Sequence, residues 1–285
     1  MRLVTFDDGR GPEVGAMVVG GIVALSRRLP VAAPSMLEMI GQWSRVEGAV
    51  RLAAENLPDV ALETARLLAP VPRPGKVLAI GLNYKDHIAE SGLPTPEHQL
   101  WFGKQATSVN GPFDPIELPK VAASTVDYEA ELVAVIGARG RHIARERAAE
   151  HIFGYCCGND VSVREWQRHT PQWMLGKSFD THAPFGPWIV TADELGDPHT
   201  LDIRCLVNDE VRQASNTQHL LFDVFAQVEH LSKAMTLEPG DVIFTGTPGG
   251  VGAASKPPRF LQAGDMVRVE IDRIGSIQGQ LVLEA

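Results

Sequence analysis

Apolar residues along the chain fall in short runs punctuated by Gly, Pro, Asn and Asp, the pattern of many short strands. Runs at 2–6, 76–80, 152–157, 188–191, 202–207, 242–245 and 266–272 each predict a strand. Residues 16–26 predict another, broken by a turn at Gly20-Gly21. Helices are expected where apolar positions recur at i, i+3, i+4 and i+7. Residues 35–56 carry such a stripe at Met36, Leu37, Ile40, Trp43 and Val46. Residues 217–235 carry the clearest one, through Leu221, Val224, Phe225, Val228, Leu231 and Met235. Polar helical stretches are expected after Gly81 through Ser91 and from Val161 to His169. The Pro-rich stretch 69–75 reads as a stiff linker between a small N-terminal α+β module, 1–70, and a main domain, 71–285. Strands outnumber helices and do not alternate with them regularly. The expected class is therefore α+β, mainly β, and a doubly wound α/β sheet is disfavoured.

One predicted strand breaks the pattern. Residues 127–136 read Asp-Tyr-Glu-Ala-Glu-Leu-Val-Ala-Val-Ile. The second half is a buried strand by composition, yet Glu129 and Glu131 stand two positions apart, on one face of it. Like charges side by side at the entrance to a core are costly unless something positive lies between them. Asp160 ends the next apolar run, so three carboxylates could converge on Mg²⁺, Mn²⁺ or Ca²⁺. At this point a second reading stands equally: a solvated strand edge, with Asp160 as the N-cap of the following helix.

Three further groups could carry chemistry. His87 and Glu90 are i and i+3 on a helix, so a carboxylate can orient an imidazole there as a general base. Lys177, between Gly176 and Ser178, could neutralise an anion or polarise a carbonyl. The loop Thr245-Gly-Thr-Pro-Gly-Gly-Val-Gly252 could present backbone N–H groups to a small anion such as a carboxylate. It matches neither a P-loop nor a Rossmann fingerprint, which argues against a nucleotide.

Composition narrows the classes. A formal net charge of −9 argues against nucleic acid as a partner. The densest basic group, Arg139, Arg141, Arg145 and Arg147, reads as a solvated surface. Three cysteines, two of them adjacent, make neither a disulfide framework nor a zinc site. The N-terminus lacks the apolar segment of a signal peptide, and no run reaches the ~20 apolar residues of a membrane span. A soluble, cytoplasmic protein with no membrane partner is the expectation.

Together these residues resemble the fumarylacetoacetate hydrolase family. The resemblance rests on Ile80-Gly-Leu-Asn-Tyr-Lys-Asp-His-Ile-Ala-Glu90, Glu129-Ala-Glu131, Gly158-Asn-Asp160, Gly176-Lys-Ser178, Thr245-Gly-Thr-Pro248 and the ending Pro257-Pro-Arg-Phe-Leu-Gln-Ala-Gly-Asp265, in the family's order over roughly 70–280. It implies a mixed β-sandwich roll and a Mg²⁺ or Mn²⁺ ion held by Glu129, Glu131 and Asp160. It also implies a water-activating dyad of His87 and Glu90, with Lys177 beside the substrate. Arg164, Gln167 and Thr247 match substrate-binding positions, and Tyr84 is placed to line the pocket. Leu82 stands where many relatives carry arginine, which bears on substrate identity. The implied function is metal-dependent hydrolysis of the C–C bond of a 2,4-dioxo acid (an acylpyruvate, for example), releasing a 2-oxo acid such as pyruvate and a carboxylic acid. The same enolate chemistry also serves an enol–keto isomerase of a hydroxymuconate-type diacid, an oxaloacetate decarboxylase or a ureidoglycolate lyase-like enzyme. A metal-binding scaffold without activity is the remaining alternative. The resemblance further implies a homodimer.

Overall fold

Residues 130–136, an apolar run broken only by Glu131, lie at the centre of the molecule. The strand Ala130–Ile136 is buried along its whole length because both its faces are covered. Ala130, Leu132, Ala134 and Ile136 join one core cluster, and Val133 and Val135 join another. Successive strand residues point to opposite faces, so a strand covered on both sides has no place for a polar stripe. In this computed structural model, which describes residues 1–285, the strand belongs to an eleven-stranded sheet. Nine strands run in the order Gly21–Ala24, Glu13–Val18, Arg2–Asp7, Ala183–Thr191, Ile152–Asn159, Ala130–Ile136, Val242–Phe244, Val77–Gly81, Leu100–Lys104, while Arg66–Leu68 pairs with Arg2–Asp7 and Val109–Asn110 with Ala183–Thr191 off this path. Neighbours on this path are antiparallel except Val242–Phe244 against Val77–Gly81.

A second sheet covers the first core face. Its order is Glu210–Asn216, Asp202–Val207, Met266–Ile271, Gly275–Leu283, Ile116–Leu118. Cys205, Val207, Val267, Val269 and Ile277 from this sheet pack in the same cluster as Leu132, Ala134 and Tyr155. The helices Met36–Gly41 and Trp43–Ala53 cover the other face, where Met39, Ile40 and Val50 share a cluster with Val133, Val135 and Phe244. The architecture is α+β and mainly sheet, as the short apolar runs imply. Residues 1–24 contribute three strands to the large sheet, through pairing of Arg2–Asp7 with Ala183–Thr191.

The helices are shorter than their stripes. The stripe over 35–56 splits at Gln42 into two helices, the first capped by Ser35, whose Oγ accepts the Glu38 N–H at 3.2 Å. The stripe over 217–235 is α-helical only at Val224–Ala234, after a 3₁₀ turn at Thr217–His219, because Asp223 takes the N-cap position and accepts the Ala226 N–H at 2.8 Å. Residues 161–169 begin as the short strand Ser162–Val163 before the helix Arg164–Arg168. Several strands lack an apolar signature. Glu210–Asn216 is polar on its outer side, and Gly275–Leu283 is interrupted by glycine and glutamine. No helix is long and apolar enough to cross a membrane.

His182 lies buried under the Ile116–Leu118 strand, its Nε2 at 2.8 Å from the Glu117 carbonyl and its Nδ1 without a partner. Burial drives its pKa from an ordinary 6.5 down to about 3. Between those values the unfolded chain binds a proton that the native chain refuses, so stability falls as the pH drops below about 6.5. Between pH 7.5 and 5.0 this group is expected to remove about 2 kcal/mol. Urea unfolding of wild type and His182→Gln at the two pH values checks it. The variant should show the smaller pH dependence, and equal dependence would contradict the assignment.

Candidate metal centre and active site

The register of two central strands brings the carboxylates together. Ala130–Ile136 pairs antiparallel with Ile152–Asn159, with Glu131 opposite Gly158 and Ala130 opposite Asn159. One step on, the Asp160 N–H donates to the Glu129 carbonyl at 2.9 Å. Glu129, expected inside the strand, lies in a break just before it. Its N–H is taken by the Asn159 Oδ1 at 2.9 Å, and the Ala130 N–H by the Gln213 Oε1 at 2.9 Å. One carboxylate oxygen from each of Glu129, Glu131 and Asp160 lies within 4.8 Å of the others, and all three residues are buried. Gly158 has no space for a side chain, because a Cβ there would meet Val133 at 2.4 Å and Phe244 at 2.7 Å.

Cations surround this cluster unevenly. Lys177 Nζ bridges Glu129 Oε2 and Asp160 Oδ2, each at 2.7 Å. Arg164 binds Glu129 Oε1 at 2.6 Å and Asp127 Oδ2 at 2.8 Å. Lys104 Nζ holds Asp160 Oδ1 at 2.6 Å. Glu131 has only the Gly246 N–H, at 2.7 Å. Burial would push the Glu129 carboxyl up, but the charges of Lys177 and Arg164 outweigh it and hold the pKa low. For Glu131, burial and the negative charges of Asp160 and Glu129 act together and raise its pKa well above the carboxylate range. Burial works against the charge on both lysines. At Lys177 the carboxylates of Asp160 and Glu129 prevail and the pKa rises, whereas at Lys104 burial prevails and it falls. A buried carboxylate beside two others, with one neutral donor, is the environment a divalent cation corrects. The donors are all oxygens, which suits a hard cation.

A cleft of about 510 Å³ opens onto this floor. Glu129, Lys177, Arg164, Gln167, Thr247, His87 and Glu90 line it, between apolar walls that include Leu82, Leu93, Trp173 and Val251. His87 and Glu90 come from the helix Lys85–Ser91. His87 Nδ1 lies 2.8 Å from Glu90 Oε1. A carboxylate can only accept, so Nδ1 carries the proton and Nε2 is left as a base. Glu90 is anchored in turn by the Gly250 N–H, at 2.8 Å from Oε2. Asn83 ties this helix to the opposite loop, donating to Phe222 O at 3.0 Å and to Thr245 O at 2.8 Å.

The glycine-rich loop has a role inside the protein. Three of its amides, with that of Ala253, serve buried or cleft carboxylates of the chain itself. Gly246 donates to Glu131, Gly250 to Glu90, and Gly252 and Ala253 to Asp127. Gly250 sits at φ +101°, and a Cβ there would lie 2.1 Å from the Arg212 carbonyl. Gly250→Ala is therefore expected to free Glu90, misorient His87 and lower kcat roughly tenfold or more, with a smaller change in KM. Steady-state kinetics check this, and unaltered kcat in a folded variant would show that the anchor is dispensable.

Tyr84 is not part of the lining. It is fully buried, its hydroxyl has no partner, and burial and the nearby charges of Glu131 and Asp86 raise its pKa. Four residues of the site carry no motif that singles them out. Asp127 orients Arg164, and Lys104 holds Asp160. Gln213 reaches from the second sheet to Thr247 Oγ1 at 2.8 Å, which leaves the threonine proton free to donate into the cleft. Arg168, one helical turn above Arg164, lines the mouth without an ion pair. Arg164 Nη2 is buried and unpartnered beside the cleft.

The model of the fumarylacetoacetate (FAA) hydrolase C-terminal family matches residues 76–282. The mitochondrial oxaloacetate tautomerase fahd2 of Xenopus laevis is 43% identical, over 99% of this chain and 90% of its own length. A Mycobacterium smegmatis structure of the HpcE type superimposes with a TM-score of 0.92 at 38% identity, covering 100% of both chains. The maleylpyruvate hydrolase of Sphingobium sp. SYK-6, solved with manganese (II) and pyruvate, gives 0.84 at 34% identity, again covering 100% of both.

Proposed function

The chain belongs to the fumarylacetoacetate hydrolase family, and from that premise we propose that it is a divalent-metal-dependent enzyme that interconverts the keto and enol forms of an oxaloacetate-like 2-oxo diacid. One observation carries the reading: a free imidazole nitrogen, His87 Nε2, shares a cleft with a carboxylate–lysine floor suited to a cation. Relatives matched over nearly the whole chain are named oxaloacetate tautomerases, which favours enolisation over the C–C hydrolysis expected from the sequence.

The residues present suit that chemistry. Glu129, Glu131 and Asp160 would hold Mg²⁺ or Mn²⁺, which when bound supplies positive charge that makes the α-proton of a 2-oxo acid more acidic. Arg164 Nη2 and the Thr247 hydroxyl are free to bind the substrate carboxylate. Lys177 uses two protons on Glu129 and Asp160, leaving its third to donate to the oxygen at C2. His87 Nε2 takes a proton from C3 of the keto form. The C–H electron pair becomes the C2–C3 double bond, the C2=O π pair moves onto the oxygen, and the Lys177 ammonium protonates that oxygen to complete the enol. The proton on His87 then passes to water, and Lys177 regains one from water. Glu90 stabilises the imidazolium that forms meanwhile. Arg168, unpaired at the mouth, suits the second carboxylate of a diacid.

The same dyad can deprotonate water, so hydrolysis of a 2,4-dioxo acid is the second reading. The test follows the ultraviolet absorbance of enol-oxaloacetate, diluted from aprotic solvent into buffer, against acylpyruvate cleavage in parallel. Accelerated loss of the enol, abolished by EDTA and restored by Mg²⁺ or Mn²⁺, is expected. Acylpyruvate cleavage faster by tenfold or more would replace tautomerisation with hydrolysis, and turnover of neither would overturn both readings.

A further inference from the structure

We propose that Lys104 sets the net charge of the loaded metal centre, so that the centre requires an anionic ligand. The inference rests on the metal reading above. Around the floor, four buried carboxylates, Asp127, Glu129, Glu131 and Asp160, face three buried cations, Lys104, Arg164 and Lys177. With all four carboxylates ionised, as a bound cation would have them, one negative charge is left over. A divalent ion then turns the surplus into one positive charge, which a substrate carboxylate neutralises. Without Lys104 the same ion would leave the floor neutral, with no electrostatic demand for an anion.

The position of Lys104 makes this role separable from chemistry. It is the last residue of the strand Leu100–Lys104, at the edge of the large sheet, and its side chain is fully enclosed. It is absent from the residues that line the cleft. Its contacts are Asp160 Oδ1 at 2.6 Å and the Val161 carbonyl at 3.3 Å. Asp160 Oδ2 is already held by Lys177, so the carboxylate keeps one anchor without Lys104. An enclosed charge is poorly screened and is felt across the centre by metal and substrate alike, with opposite sign.

The test uses Lys104→Met and Lys104→Gln. The glutamine keeps an N–H for Asp160 but not the charge. Calorimetric titration of the metal-free proteins with Mn²⁺ should show affinity rising roughly tenfold or more in both variants, because a repelling charge is gone. Titration of the Mn²⁺-loaded proteins with oxalate should show affinity falling by a similar factor in both. A simple positioning role predicts the reverse for the metal: weaker binding in Lys104→Met, rescued in Lys104→Gln. That result, or unchanged oxalate binding, overturns the proposal. If Lys104→Met does not fold, Lys104→Gln alone decides by the sign of its Mn²⁺ change. Absence of Mn²⁺ binding by wild type would sink the metal reading itself, a failure distinct from that of Lys104.

Discussion

Replacing Glu131 with glutamine is expected to raise the stability of the metal-free protein while lowering divalent-metal affinity roughly 100-fold or more and turnover roughly 10³-fold. The opposite signs follow from one cause. Glu131 sits beside Asp160 and Glu129 with a single neutral donor, the Gly246 N–H at 2.7 Å, and its pKa is raised because the charged form is disfavoured there. Glutamine is isosteric, keeps an acceptor for Gly246 and removes the charge that burial penalises. The feature that burdens the empty fold is the one a divalent cation uses. Thermal unfolding in EDTA and titration with Mn²⁺ measure the two halves separately. Wild-type metal affinity in Glu131→Gln and in Glu129→Gln would remove these residues from the metal centre.

His87→Ala is expected to lower kcat by roughly 10²–10⁴-fold and to leave Mn²⁺ binding unchanged. His87 lies on the cleft wall and not in the carboxylate cluster, and its hydrogen bond to Glu90 holds no part of the core. Loss should therefore fall on the proton transfer, with KM nearly constant. Glu90→Gln should cost less, since the amide oxygen still accepts from Nδ1 but stabilises the imidazolium poorly. Exchange of the C3 protons of oxaloacetate in D₂O isolates the step from product release. A His87→Ala enzyme that exchanges those protons at the wild-type rate would assign the proton transfer to another group.

Much of the candidate site is legible in the chain because its residues sit at the ends of elements that local pattern already marks. Glu131 stands out as a charge in an apolar run, Asp160 as the stop of the next run, and His87 with Glu90 as a helical i, i+3 pair. The helices are less legible than the strands. Hydrophobic stripes continue through Gln42, where the first helix stops, and start before Asp223, whose N-cap position begins the later one.

Local sequence thus determined the class of fold, the strand that carries the carboxylates and the kinds of side chain available for chemistry. Those properties depend on neighbours along the chain: alternation, turn residues and charge in an apolar setting. Tertiary structure decided which groups meet. Lys104 and Asp160 are 56 positions apart, and Gln213 and Thr247 are 34 apart, yet each pair is in hydrogen-bond contact. Nothing local marks a lone lysine or glutamine as a partner for a distant group. It also decided that three amides of the glycine-rich loop reach Glu131, Glu90 and Asp127, whereas its sequence states only that backbone can approach something closely. The physical reason is that a buried charge must be compensated by whatever the fold brings within about 3 Å, and that choice belongs to strand register and sheet packing, which no short window of sequence contains.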